Sequence, residues 1–361
     1  MKKIGIMSMQ RVINYGSFLQ AYALKKCVEK LGNNVEFVDY KFERCIIKTK
    51  PKKSFFEKAK NNVNIIKFIN KKRISRKFRT KYELEYLKFL NINKNEYNYV
   101  QDIDTLIIGS DEVFNCLQPY PVGYSRNLFG FEYENKNVIS YAASFGHTTL
   151  NALKEVEIDN EIGKMLSKFR AISIRDANSY NIVKKISGIM PIISFDPVLI
   201  GDFNEEIGKN KISKCFDHYV IVYAYTGRLT KNEQKYIKKF AKRNNLKIIS
   251  LGFYQEIADK NIVVNPFQVL NYFKNADYVI TDTFHGTIFS VKMNTKFCTI
   301  IRDSNYNKLS FLLKELKHEN RMVNKIEDIE KLYKKEINFK ESNEIIKIET
   351  TKTMEYLKNN I

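Results

Sequence analysis

The sequence predicts an α/β protein built from two Rossmann-like domains that face each other across a cleft. Three observations carry that expectation. Short apolar runs alternate with helical segments along most of the chain, the pattern of a largely parallel sheet covered by helices on both faces. At 361 residues the chain is too long for one ordinary core and suits two. A polar stretch, Asn204 to Asp217, divides the alternation in the middle.

The first domain is expected over residues 1–208. Strand Lys3 to Ser8 leads into a helix from about Ser17 to Leu31, which Gly32-Asn33-Asn34 stops. A second strand, Val35 to Tyr40, precedes a basic helical insertion at about residues 45–98. The α/β rhythm resumes at Thr105 to Ile108, a buried strand ending at Gly109-Ser110-Asp111. Strand Asn137 to Ala142, a helix over Leu150 to Lys168, strand Ala171 to Ile174, another helix and strand Pro191 to Ser194 complete the unit. The second domain is expected over residues 214–338. It opens with a strand from Tyr219, turns at Thr226-Gly227-Arg228, and continues as a helix over Lys231 to Arg243 and strand Lys247 to Leu251. Asn265-Pro266 announces a short helix. Strand Tyr278 to Thr281, a turn carrying His285, a helix, strand Phe297 to Ile301 and a helix from Lys308 follow. Residues 339–361 read as an amphipathic helical segment.

Composition narrows the class. Hydrophobic content of 44% with ordinary Gly and Pro describes a globular protein, and no run reaches the roughly 18 apolar residues of a membrane span. The opening MKKIGIMSMQ is broken by Ser8 and Gln10 and reads as a strand rather than a leader, so a cytoplasmic location is expected. Five scattered cysteines form no CxxC pair, and neither a disulfide nor a metal site is expected. Between Lys48 and Lys88 stand fifteen Lys or Arg against three Glu, more than half of the formal +21 charge. Apolar residues, among them Phe55, Phe56, Ile69, Ile74 and Phe78, are threaded through this stretch at helical spacing. Two readings stand: solvated helices packing their apolar stripe on the domain, or a surface meeting an anionic partner such as phospholipid headgroups or a charged glycan. Nucleic acid is not expected, because no recognised binding module accompanies the charge.

Four strand ends carry polar turns, and the carboxyl ends of strands line the ligand crevice of open α/β sheets. The first is Asn14-Tyr15-Gly16-Ser17, where Asn14 or Ser17 caps a helix and Gly16 lets backbone approach a ligand. The second, Ser110-Asp111-Glu112, places two carboxylates side by side; Asp111 reads either as a cleft residue or as a cap. Arg175-Asp176 reads either as an anion contact or as a structural salt bridge. The fourth turn lies within VITDTFHGTIFS, where Thr281-Asp282-Thr283 precede His285 and Gly286 at the start of a helix. A helix N-terminus after a strand collects anions, and a histidine there adds a proton donor.

Taken in order, NYGSFLQAYAL, IIGSDEVFN, ISYAASFG, SIRD, FDPV and TDTFHGTIFS resemble the polysaccharide pyruvyl transferase family from about Lys3 to Ile301. Where such proteins read Gln-Val-Trp, this chain departs with Glu112-Val113-Phe114. The resemblance implies a GT-B-like architecture and transfer of pyruvyl from phosphoenolpyruvate to a sugar of a cell-surface polysaccharide or its lipid-linked precursor. The product is a ketal and phosphate is released. It further implies that Arg175 holds the donor's carboxylate or phosphate, and that His285 protonates either the enol methylene or the departing phosphate. Thr283 and Gly286 frame the helix N-terminus at the donor, and Arg228, by position, adds a cation. Asp111 is expected to take the acceptor's proton, with Glu112 second. Asn14, Gly16, Ser110, Glu112 and Asp282 are expected around the cleft and acceptor. No cofactor beyond the donor substrate is called for. The acceptor is a glycan or lipid-linked oligosaccharide, and residues 48–88 are a peripheral contact for an anionic membrane. Two other classes share these features: a nucleotide-sugar glycosyltransferase of the same architecture, and a non-catalytic protein binding membrane surfaces through its basic stretch.

Overall fold

The computed structural model describes residues 1–47, 65–120, 122–213 and 215–361. Its strands form two six-stranded parallel sheets. The first contains β1 (Lys3–Met7), β2 (Asn34–Phe37), β3 (Thr105–Asp111), β4 (Asn137–Ala143), β5 (Ser173–Ile174) and β6 (Ile192–Ile193), in the spatial order 2-1-3-4-5-6. The second contains β7 (Tyr219–Tyr223), β8 (Lys247–Leu251), β9 (Lys260–Ile262), β10 (Tyr278–Thr281), β11 (Phe297–Ile300) and β12 (Met322–Val323), in the order 12-11-10-7-8-9. The direction of winding reverses between β1 and β3 in one sheet and between β7 and β10 in the other. Such switch points open a crevice at the strands' carboxyl ends.

Helices cover both sheets. The first domain carries α1 (Tyr15–Lys30), α2 (Ile65–Lys81), α3 (Leu150–Glu155), α4 (Asp159–Leu166), α5 (Ala177–Ser187) and α6 (Pro197–Ile200). Then come α7 (Asn204–Lys209), α8 (Lys231–Arg243), α9 (Pro266–Lys274), α10 (Phe284–Lys292), α11 (Tyr306–Glu315), α12 (Asp328–Lys334) and α13 (Lys340–Asn360). The single helix expected over Leu150 to Lys168 is in fact two: Glu157, at φ +58°, breaks it, since the left-handed conformation cannot continue a right-handed helix. The polar stretch after residue 203 contains α7, and the short strands β9 and β12 add one edge each to the second sheet.

The domains meet through α1, α6, α9 and α10. Phe267 of α9 packs edge-on against Phe18 and Tyr22 of α1, with ring centroids 5.8 and 4.9 Å apart. Helix α10 is buried from Phe284 to Val291, as expected for a helix enclosed on every side. Lys292 at its end donates to the Leu199 carbonyl in α6, at 2.7 Å.

Part of the basic insertion also joins this interface. Phe78 of α2 stacks 4.5 Å from Tyr15 and meets Phe253 of the second domain, while the Tyr15 and Tyr86 hydroxyls both donate to the Val264 carbonyl. Lys71, Lys72 and Arg73 are exposed on α2, as are Ile65 and Ile69. The remaining expectations for the insertion, Phe55 and Phe56 included, lie outside the described residues.

The chain crosses between domains twice. After α6 it passes to the second domain, and after α12 it returns as α13. There Tyr356 donates to the Ser140 carbonyl at 2.8 Å, and Tyr141 and Thr353 share a hydrogen bond at 2.9 Å. Among the described residues no helix is long and apolar enough to cross a membrane.

Candidate active site

The turns after β1, β3, β7 and β10, the four strands flanking the two switch points, converge on one cavity of about 140 Å³. Asn14 and Ser17 reach it from the first turn, Asp111 and Glu112 from the second, Tyr225 and Arg228 from the third, and Asp282 to His285 from the fourth. Arg175 enters from β5, and Asn305 and Lys308 from the start of α11.

Beneath the cavity runs a buried chain of charges. The Arg175 guanidinium donates to Asp111 Oδ1 at 2.9 Å and to Asp196 Oδ2 at 2.8 Å, and lies 4.5 Å over the ring of Phe284. Asp111 also accepts from the Ser17 hydroxyl at 2.7 Å. Burial raises the Asp111 carboxyl, but Arg175, His285 and Ser17 outweigh it and hold it below its ordinary value. Asp196 caps α6 through the Val198 amide at 3.0 Å, and its Oδ2 stands 3.7 Å from His285 Nε2. Burial again opposes ionisation, and His285 with Arg175 more than reverses it, so Asp196 too stays charged. At 3.7 Å the imidazole contact is an ion-pair separation rather than a hydrogen bond, and buried Nε2 has no hydrogen-bond partner.

The histidine turn follows from its sequence. Thr283 Oγ1 caps α10 by accepting from the Gly286 amide at 2.9 Å, and Thr281 Oγ1 donates to the Tyr223 carbonyl at 2.7 Å. That arrangement leaves the amides of Phe284 and His285, which an α-helix cannot pair internally, at the cavity's end of the dipole. Gly286 is pressed against Thr281: a Cβ there would stand 2.1 Å from Thr281 Oγ1. Gly16 is equally constrained, because a Cβ on it would stand 2.1 Å from Cγ and Nδ1 of His285. The two glycines therefore shape the site without lining it.

On the second domain's wall, Asp282 is fully buried between Arg228 and Arg302, whose Nε atoms lie 3.3 and 3.5 Å from Oδ2. Arg302 spends its other nitrogens on Glu233, at 2.7 and 3.0 Å. Burial dominates here, and Asp282 holds its proton above the ordinary value despite both arginines. Opposite, Lys308 donates to Glu112 at 2.6 Å across the domain boundary. Burial raises Glu112, yet Lys308 keeps it below its ordinary value.

A family model for polysaccharide pyruvyl transferases matches residues 14–304. The chain belongs to that family. The comparison with curated proteins returns no match. Among solved structures, the glycotransferase of kitacinnamycin aligns over 100% of this chain and 99% of its own, at 10% identity and a TM-score of 0.51. An MnaA–UDP co-structure from S. aureus aligns over 100% and 98%, at 10% identity and 0.50. An O-GlcNAc transferase mutant from Thermobaculum terrenum aligns over 99% of this chain but 66% of its own length, at 10% identity and 0.44. At these identities the first two likenesses speak for the fold alone, which is the two-domain, GT-B-like arrangement expected.

For this pyruvyl transferase family member, the structure brings Asn14, Asp111, Glu112, Arg175, Arg228, Asp282, Thr283 and His285 to one cavity. Ser110 lies below it, donating to Gln20 Oε1 at 2.5 Å within a network that includes Ser8. His147, exposed and 3.2 Å from the Asn115 amide, stands outside the lining. Sequence reasoning missed Asp196 and Lys308. Asp196 stands in the FDPV motif before a helix start, and its approach to His285 is tertiary. Lys308 follows β11 of the second sheet, and a cation after a strand end was the available clue. Among the described residues no group of three or more His, Cys, Asp or Glu is placed to hold a metal ion.

Proposed function

We propose that the cavity binds phosphoenolpyruvate and transfers its pyruvyl group to a glycan as a ketal. The observation that carries this reading is His285, which lines the cavity beside cations at a helix N-terminus with one ring nitrogen turned to a buried, ionised Asp196. Arg228, Lys308 and the free amides of α10 supply donors for the substrate's phosphate and carboxylate. His285 delivers a proton to the donor's methylene carbon, converting it to a methyl group while C2 becomes electron-poor. An acceptor hydroxyl bonds to C2 and loses its proton to a cavity carboxylate. Phosphate then leaves C2 with its bonding electrons, and a second hydroxyl bonds in its place, its proton going to phosphate.

Arg175 holds Asp111 and Asp196 apart in fixed positions, so it positions the dyad and contributes little free charge to the donor. Asp111 is a weak base in this setting. Asp111 and Asp282 are the two aspartates of the lining at hand to take the hydroxyl's proton, the first held by Arg175 and Ser17 and the second by Arg228 and Arg302.

The test is phosphate release from phosphoenolpyruvate with a glycan acceptor, alongside protection against heat by phosphoenolpyruvate and by a panel of nucleotide sugars. His285→Ala and Asp196→Asn should each lower turnover by about 10²-fold or more while leaving the circular dichroism unchanged. Protection by a nucleotide sugar and none by phosphoenolpyruvate would instead make this a glycosyltransferase.

A further inference from the structure

A second cavity, of about 570 Å³, adjoins the first, and Met9 and Val12 of the turn after β1 line both. Among the described residues seven aromatic side chains are exposed, and four of them, Phe42, Tyr97, Tyr99 and Tyr120, line this cavity. Scattered surface aromatics need no explanation, but a cluster beside a reaction cavity does.

These rings are held in place. Tyr97 and Tyr99 lie within 7° of parallel with centroids 6.0 Å apart, and the Arg11 guanidinium sits 4.5 Å from the Tyr97 centroid. Phe42 meets Tyr120 nearly edge-on, with centroids 5.5 Å apart. Rings fixed before binding lose little freedom on binding. The cavity's charges are already paired: Arg11 grips Asp39 with two bonds of 2.6 and 2.8 Å, and Arg79 lies 3.6 Å from Glu83. The surface on offer is therefore aromatic faces and hydroxyls without net charge.

An uncharged pyranose fits that chemistry. Its ring C–H bonds pack on an aromatic face, and its rim of hydroxyls reaches the tyrosine hydroxyls and paired charges. A polyanion would find no unpaired cation here. We infer that this cavity is the acceptor subsite, holding a neutral sugar unit adjacent to the one that enters the reaction cavity. The inference rests on the pyruvyl-transfer reading for the identity of the chemistry next door, but its binding claim stands separately.

Saturation-transfer NMR with cellotetraose, galactotetraose and mannotetraose tests it, with phosphoenolpyruvate protection against heat measured on the same samples. Wild-type protein should bind at least one tetrasaccharide. Tyr97→Ala and Tyr120→Ala should each weaken that binding about tenfold, Tyr97→Phe should retain it, and phosphoenolpyruvate protection should not change. Absence of binding to all three sugars, or equal binding by the Tyr97→Ala/Tyr120→Ala double variant, overturns the inference. So does uridine monophosphate binding that is lost in the same variants, since the rings would then stack a base. Tyrosine-dependent sugar binding without phosphoenolpyruvate protection would sink the donor assignment and leave the subsite standing.

Discussion

Asp282 is the residue at which stability and chemistry pull apart. Neither carboxylate oxygen has a hydrogen-bond partner, and both are buried. Because its folded proton affinity is raised, the group favours the fold when protonated, and that contribution is lost as pH rises through its folded pKa. At pH 7 the ionised group therefore carries a penalty. Asp282→Asn should raise the melting temperature by the order of a few degrees while cutting transfer activity. A lower melting temperature would show that the two arginines need the charge more than the fold resents it. Asp111, Glu112 and Asp196 have the opposite sign: their stabilisation is present at neutral pH and fades in acid. None of this was legible in the local sequence. TDT announces a cap, which Thr283 indeed supplies, but the arginines around Asp282 arrive from residues 228 and 302.

At the level of elements, helix and strand identities were largely readable because buried parallel strands are unbroken apolar runs. Thr105 to Ile108 and Tyr278 to Thr281 show this, and the helix over Lys231–Arg243 begins with a capping box at Thr230 and Glu233. What escaped had little local signal: two- and three-residue edge strands, and a helix interrupted at one residue. The C-terminal helix was readable as a helix but not as to where it docks. Its start is clamped by His318, whose Nε2 lies 3.0 Å from the Ser342 hydroxyl, with the ring against Phe297 and Phe339. Burial and then Arg321 press its pKa down from 6.5 to about 4. The fold thus holds His318 neutral, and its contribution is full above the unfolded value and lost as pH falls toward 4. Between pH 7 and pH 5 the melting temperature should drop and the amides of α13 should exchange faster. His318→Gln should flatten both trends, and an unaltered pH profile in that variant would refute the assignment.

For the whole molecule, the decisive contact is Gly16 of the first domain against His285 of the second. The sequence showed both residues at turns, and only the closed arrangement of the domains shows why one must lack a side chain. Gly16→Ala would force the imidazole or the domain pairing to shift by ångströms. Turnover should fall about 100-fold and the unfolding free energy by about 1–3 kcal/mol; near-wild-type turnover would mean that the contact is dispensable. The candidate site was readable as a set of turns because polar residues follow apolar strand runs directly in the sequence. The pairing between sets was not, since no local pattern encodes which turn of one domain faces which of the other.

The two crossings of the chain carry a mechanical consequence. A pair of bodies tied by one tether can swivel in any direction, whereas a pair tied at two places swings like a door on two hinges. With one tie leaving α6 and the other returning along α13 beside it, the cleft has essentially one way to open. Any separation of Gly16 from His285 is therefore held to a single arc about the hinge line, and closure returns them to the same register.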